Sequence, residues 1–64
     1  MKIRYDQETD ILIIRFSEET ILESDEAQPG VILDYDQNGR IVRMEILDAS
    51  KNTATPHKVE YEIA

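Results

Sequence analysis

Asp34, Asp36, Asn38 and Glu45 are spaced as the oxygen ligands of a twelve-residue calcium loop. Asp34-Tyr35-Asp36-Gln37-Asn38-Gly39, followed after five residues by Glu45, fits D-x-[DN]-x-[DN]-G-x5-E. A second acidic group, Asp6, Glu8 and Asp10, offers carboxylates at alternate positions. Ser17, Ser24 and Ser50 are candidate nucleophiles, and His57 is the only imidazole that could serve them as a base. None of these serines lies in a G-x-S-x-G setting, and His57 sits beside Pro56 in a loop-forming stretch. Carboxylate pairs of the kind that cleave glycosides need a deep cleft as well as the right separation, and a chain this short has no room for one. The sequence therefore points away from an enzyme and names no catalytic residue and no cofactor.

The calcium pattern depends on what surrounds it. A calcium loop of this class is held by an entering and a leaving helix. Only Val31, Ile32 and Leu33 separate Pro29-Gly30 from Asp34, too short a run for a helix, and Pro-Gly would break one. The flanking residues are aliphatic and often β-branched, which suits strands. Asn38-Gly39 is the strongest short hairpin signal. Placing it at the centre of a type I′ turn pairs Gln37 with Arg40, Asp36 with Ile41, Tyr35 with Val42, Asp34 with Arg43, Leu33 with Met44, Ile32 with Glu45 and Val31 with Ile46. That register sorts the apolar residues onto one face and sets Asp34 against Arg43 on the other, and a slip of one residue would undo the sorting. In a hairpin, Glu45 is carried away from Asp34, Asp36 and Asn38. A weak divalent-cation site at the acidic turns, on Asp34, Asp36 and Asn38 or on Asp6, Glu8 and Asp10, stays open as the alternative function.

The other elements follow the same grammar. Lys2–Asp6 and Ile11–Phe16 read as a hairpin closed through Gln7–Asp10, with Tyr5 against Leu12 and Ile3 against Ile14. Thr20–Ser24 reads as a short third strand fading into Asp25-Glu26-Ala27, and Pro29-Gly30 turns the chain into the next hairpin. Residues 47–52 allow one short helical turn. Lys58–Ile63 alternates strictly, apolar at 59, 61 and 63, and reads as a sixth strand whose charges guard an edge. The expected architecture is a mainly β, antiparallel meander of five to six short strands, one domain over residues 1–64, curled on itself or packed as a dimer.

The strings Tyr5-Asp6-x-Glu8-x-Asp10, Glu23-Ser24-x-Glu26, Pro29-Gly30-Val31-Ile32-Leu33-Asp34-Tyr35-Asp36 and Glu45-Ile46-Leu47-Asp48-Ala49-Ser50 resemble the small prokaryotic domain-of-unknown-function family 2283. The resemblance covers residues 1–51. Arg43 stands where that family would have glycine, and the tail after Asn52 falls outside the match. The resemblance implies a compact β-rich domain with no catalytic residues to carry over. Its relatives' occurrence beside toxin-like genes implies an antitoxin-like role.

Size and charge narrow the partners. A 64-residue chain buries only about 60% of its unfolded surface. With no cysteine and one histidine it has neither disulfides nor a histidine–thiolate zinc site to compensate. No stripe of helical period is available to cover a sheet, so an exposed apolar face implies self-association, most simply a dimer. Seven basic against fourteen acidic residues give a net charge of −7. Read along the chain, Lys2, Arg4, Arg15, Arg40, Arg43, Lys51 and Lys58 are scattered, which argues against nucleic acid or an anionic membrane and suits a basic protein partner. Tyr5, Tyr35, Tyr61 and Phe16 then fit packing at a core or dimer seam better than base stacking. With no signal-peptide core and no long apolar run, the expected location is cytoplasmic.

Overall fold

Two hairpins and a linking strand make one five-stranded antiparallel sheet in the computed structural model, which describes all 64 residues. The first hairpin is β1 (Lys2–Asp6) and β2 (Ile11–Arg15), with Tyr5 opposite Leu12 and Ile3 opposite Ile14 as expected. Its loop is held by the Asp6 carboxylate, which accepts the Glu8 amide at 3.0 Å and the Thr9 amide at 3.4 Å. Asp10 closes the loop in the left-handed region, φ 57°. Aspartate tolerates that conformation better than most residues.

β3 (Glu23–Gln28) and β4 (Val31–Tyr35) meet at Pro29-Gly30. Gly30 has φ 81°, and proline followed by a positive-φ glycine is what a type II turn requires. This turn moves the third strand from the expected Thr20–Ser24 to Glu23–Gln28. Pairing zips outward from Gln28 opposite Val31 to Glu23 opposite Tyr35, overriding the better β-propensity of Ile21 and Leu22.

β4 and β5 (Ile41–Ile46) form the central hairpin. Val31–Ile46, Ile32–Glu45, Leu33–Met44 and Asp34–Arg43 pair as the sequence predicts. Closer to the turn the expected pairs fail: Tyr35 faces Ile41, not Val42, and the Asp36 amide donates to the Arg40 carbonyl at 3.0 Å. Asn38 is not in the left-handed region, as a type I′ turn would demand, but Gly39 is, at φ 77°. The loop is therefore the three-residue Gln37-Asn38-Gly39 form, a tight turn closed by Gly39 N–H to the Asp36 carbonyl at 3.1 Å. The extra loop residue shifts the register by one, and a bulge between Asp34 and Tyr35 shifts it back. Those two departures cancel, so the rest of the ladder is as read.

The sheet order is β1-β2-β5-β4-β3. Strands neighbour their sequence successors except where β2 meets β5, because residues 16–22 pass around the hairpin end to reach β3. Along that path Phe16 N–H donates to the Val42 carbonyl at 2.7 Å and Leu22 N–H to the Tyr35 carbonyl at 2.8 Å. The single helical turn expected near 47–52 is α1 (Ala49–Asn52). The expected sixth strand at 58–63 is not formed. Strict alternation gives a segment strand character, but a strand exists only with a hydrogen-bonded neighbour. Here Val59, Tyr61 and Ile63 are 57%, 76% and 81% exposed.

Register assigns the faces. Ile3, Tyr5, Leu12, Ile14, Met44, Ile46, Val31 and Leu33 share one face, and Lys2, Arg4, Ile13, Arg15, Arg43, Glu45, Ile32, Asp34 and Ser24 share the other. The sheet is open, with β1 and β3 as free edges, and the molecule is a slab of 34 × 31 × 20 Å. Only Val42, Ala49, Asp34 and Asp36 are buried. Domains ordinarily stack two layers around a core. This chain supplies one.

Candidate functional site

Most of the acidic residues that could have gathered a cation, Asp6, Asp10, Asp34, Asp36 and Glu45, are occupied in holding the backbone, a hydroxyl or an arginine. Asp34 is 1% exposed and accepts Ser24 Oγ at 2.5 Å on Oδ1 and Arg43 Nε at 2.7 Å on Oδ2. Burial pushes its carboxyl up, but the Ser24 and Arg43 hydrogen bonds and the Arg43 and Arg15 charges outweigh that and leave it below the ordinary value. Asp36 turns its Oδ1 onto two loop amides, Asn38 at 2.8 Å and Arg40 at 3.0 Å. The arginine already fills the position a metal would need on Asp34, and Asp36 serves the loop containing Asn38. Asp34 and Asp36 thus direct carboxylate oxygens at Ser24, Arg43 and the loop amides. Asp6, Glu8 and Asp10 do not converge either, and no group of three or more acidic or histidine side chains is placed to hold a metal ion.

Asp10 has a role that its sequence context does not reveal. Its Oδ1 accepts Tyr5 Oη at 2.6 Å and the Ser50 amide at 3.0 Å, its Oδ2 accepts Ser50 Oγ at 2.6 Å, and its carbonyl accepts the Ala49 amide at 2.9 Å. The residue before α1, Asp48, makes no side-chain cap. Asp10 caps α1 from a different hairpin, supplying acceptors for amides that a helix start leaves free. The Ser50 hydrogen bonds, then that from Tyr5, hold the Asp10 carboxyl below its ordinary value, and the same bond to Asp10 raises the Tyr5 hydroxyl.

The serines and the histidine are spread apart. Ser24 serves Asp34, Ser50 serves Asp10, and Ser17 Oγ accepts the Glu19 amide at 3.4 Å. His57 lies in a shallow recess with Tyr5 and Gln7.

The cations, scattered in sequence, are gathered by the sheet. Lys2 faces Arg15, and Arg15 faces Arg43, so three stand in one cross-strand row, with Arg4 beside Lys2 on the same face. Like charges directly opposite repel. Arg43 is relieved by Asp34 and by Glu45 Oε1 at 3.0 Å, and Arg15 by Glu18 Oε2 at 3.6 Å and the Glu19 carbonyl at 3.3 Å. Arg15 Nε itself is buried without a hydrogen bond. The opposite edge, β3, carries Glu23, Asp25 and Glu26, all exposed. The molecule thus has a basic edge at β1, an acidic edge at β3 and an apolar face between them.

That apolar face is the largest feature without an internal partner. The row Ile3–Ile14–Met44–Leu33 and the row Tyr5–Leu12–Ile46–Val31 cross four strands, and none of these side chains is buried. For 7.4 kDa the size scaling of folded monomers gives about 4,200 Å² of accessible surface. This chain exposes 5182 Å². The excess is about 1,000 Å², shared between the exposed tail and the open sheet.

The family described as Protein of unknown function (DUF2283) matches residues 2–50, from the start of β1 into α1, and leaves the tail outside. Comparison with curated proteins and with solved structures gave no match.

Proposed function

The chain belongs to this family, and from that premise we propose that it is a protein–protein interaction module that pairs with a second copy through its apolar sheet face. The observation that carries this reading is the single-layer sheet, with Ile14, Met44 and Leu33 at its middle only half-buried and no second layer packed over them. A second apolar face laid on the first supplies the missing layer at the usual spacing of about 10 Å between sheets. Pairing leaves Glu23 and Asp25 at the rim of the seam, beside Tyr35 and Leu33, and Glu26 on the opposite face, and this acidic rim suits a basic protein partner, an antitoxin-like arrangement in which a small acidic protein neutralises a positive one.

Met44→Glu tests the reading, because it places a charge at the centre of the proposed seam. Light scattering after size exclusion should show a smaller assembly for the variant than for the natural chain, the face-to-face step being lost, with circular dichroism showing that both remain folded. A natural chain that stays monomeric over the concentration range of the measurement overturns it.

A further inference from the structure

We propose that the free β1 edge is a docking site for residues 58–63 of a second copy, which add to it as an antiparallel strand. This contact uses an edge, not the apolar face, and stands independently of the pairing proposed above. β1 presents Lys2, Arg4 and Asp6 on the charged face and Ile3 and Tyr5 on the apolar face, with Met1 preceding them. The segment Lys58-Val59-Glu60-Tyr61-Glu62-Ile63 has the same period with the opposite charge order. One antiparallel register sets Lys58 against Asp6, Glu60 against Arg4 and Glu62 against Lys2. It also sets Val59, Tyr61 and Ile63 against Tyr5, Ile3 and Met1. A shift of two residues in either direction puts Lys58 against Arg4 or Glu60 against Asp6. The match is therefore specific in register as well as in face.

The other free edge does not fit. β3 carries Glu23 and Asp25 on its apolar side and Glu26 on its charged side, so a tail added there would set Val59, Tyr61 and Ile63 on the side that bears carboxylates and would meet no cation for Glu60 and Glu62. The tail thus discriminates between the two edges by charge, and strand addition to an exposed edge is an established recognition mode.

The occupant is a second copy because the chain's own tail does not take the site. His57 lies beside Tyr5 and Gln7, at the end of β1 where such a strand would begin. Yet the next residue, Lys58, bonds its amide back to the Thr55 carbonyl at 3.0 Å, and no backbone hydrogen bond joins residues 59–64 to β1. Lys58 pairs with Glu60 of its own tail at 3.3 Å, and Val59, Tyr61 and Ile63 stand largely exposed. A tail that leaves its own edge open, and that matches that edge residue by residue, is arranged for exchange.

Two full-length variants test the exchange: E60K/E62K, which reverses the tail, and K2E/R4E, which reverses the edge. Each alone should weaken self-association by about tenfold or more, since each turns two favourable cross-strand pairs into repulsions. An equimolar mixture should recover the natural affinity, because tail and edge are then complementary in both directions between unlike chains. Recovery in the quadruple variant but not in the mixture would show pairing within one chain and overturn the proposal. Unchanged association of both double variants would overturn it too. Met44→Glu serves as the control that leaves tail and edge intact. Dissociation by Met44→Glu alone counts against the edge contact, and dissociation by the charge reversals alone counts against the face.

Discussion

Arg43 reaches across the β4–β5 pair and donates its Nε–H to Asp34, 2.7 Å away, the most covered charge contact in the molecule. The same carboxylate accepts Ser24 from β3, so one aspartate ties three adjacent strands on the charged face. Asp34→Ala would leave Arg43 without its main partner. The expected cost is about 2–3 kcal/mol, that of a charge-assisted hydrogen bond lost from a largely covered site. Urea unfolding followed by circular dichroism measures it, and Asp34→Asn should lose less because the amide still accepts.

Acid should unfold the chain through Asp34 and Asp10. Both have folded pKa values below the ordinary 3.8, so between the two values the unfolded chain binds more protons than the folded one. Their stabilisation is present above the unfolded value and is lost as pH falls through the folded values. Melting temperature should be flat near neutrality and fall below about pH 4, with Asp10→Asn making the fall shallower.

Alkali should act through Tyr5, whose hydroxyl is raised above 10.0 first by its hydrogen bond to Asp10. A raised acid contributes stability below its unfolded value and loses it as pH rises through the folded one. Tyr5→Phe should remove that alkaline limb, read from melting curves between neutral pH and pH 11.

The hairpin loop makes a paired prediction. Gly39 has φ 77° with open space where a side chain would go, so Gly39→Ala costs backbone strain alone, about 1 kcal/mol. Asn38→Ala should be nearly neutral, since Asn38 is not in the left-handed region. In a type I′ turn both substitutions would be costly, so denaturant midpoints of the two variants distinguish the loops.

Ser50→Ala tests the remote cap on α1. Removing its hydroxyl deletes the bond to Asp10 Oδ2 and leaves the Ser50 and Ala49 amides less firmly held. Hydrogen exchange at those two amides should quicken while the β2 and β5 amides keep their protection.

Much of the ladder was legible because strand pairing follows alternation. The Tyr5–Leu12, Ile3–Ile14, Leu33–Met44 and Asp34–Arg43 contacts follow from period-two sorting and a turn signal alone. The turn type was not legible, since Asn-Gly serves both a two-residue loop and a three-residue loop. The choice between them rested on a compensating bulge at Val42. The third strand shifted for a similar reason, with turn geometry at Pro29-Gly30 outweighing the propensity of Ile21 and Leu22. The cap from Asp10 to Ser50 joins residues whose proximity depends on two hairpins meeting, and no local spacing marks it.

By itself the sequence determined the class of the fold, most of the register and which residues share a face, because these depend on neighbours along one or two strands. Only the tertiary structure decided that β5 enters between β2 and β4, because that order is set by how residues 16–22 pass around the hairpin end. The same order brings Lys2, Arg4, Arg15 and Arg43 together and leaves β1 as an edge. Side-chain type travels with the chain, but company across a sheet is a property of strand order.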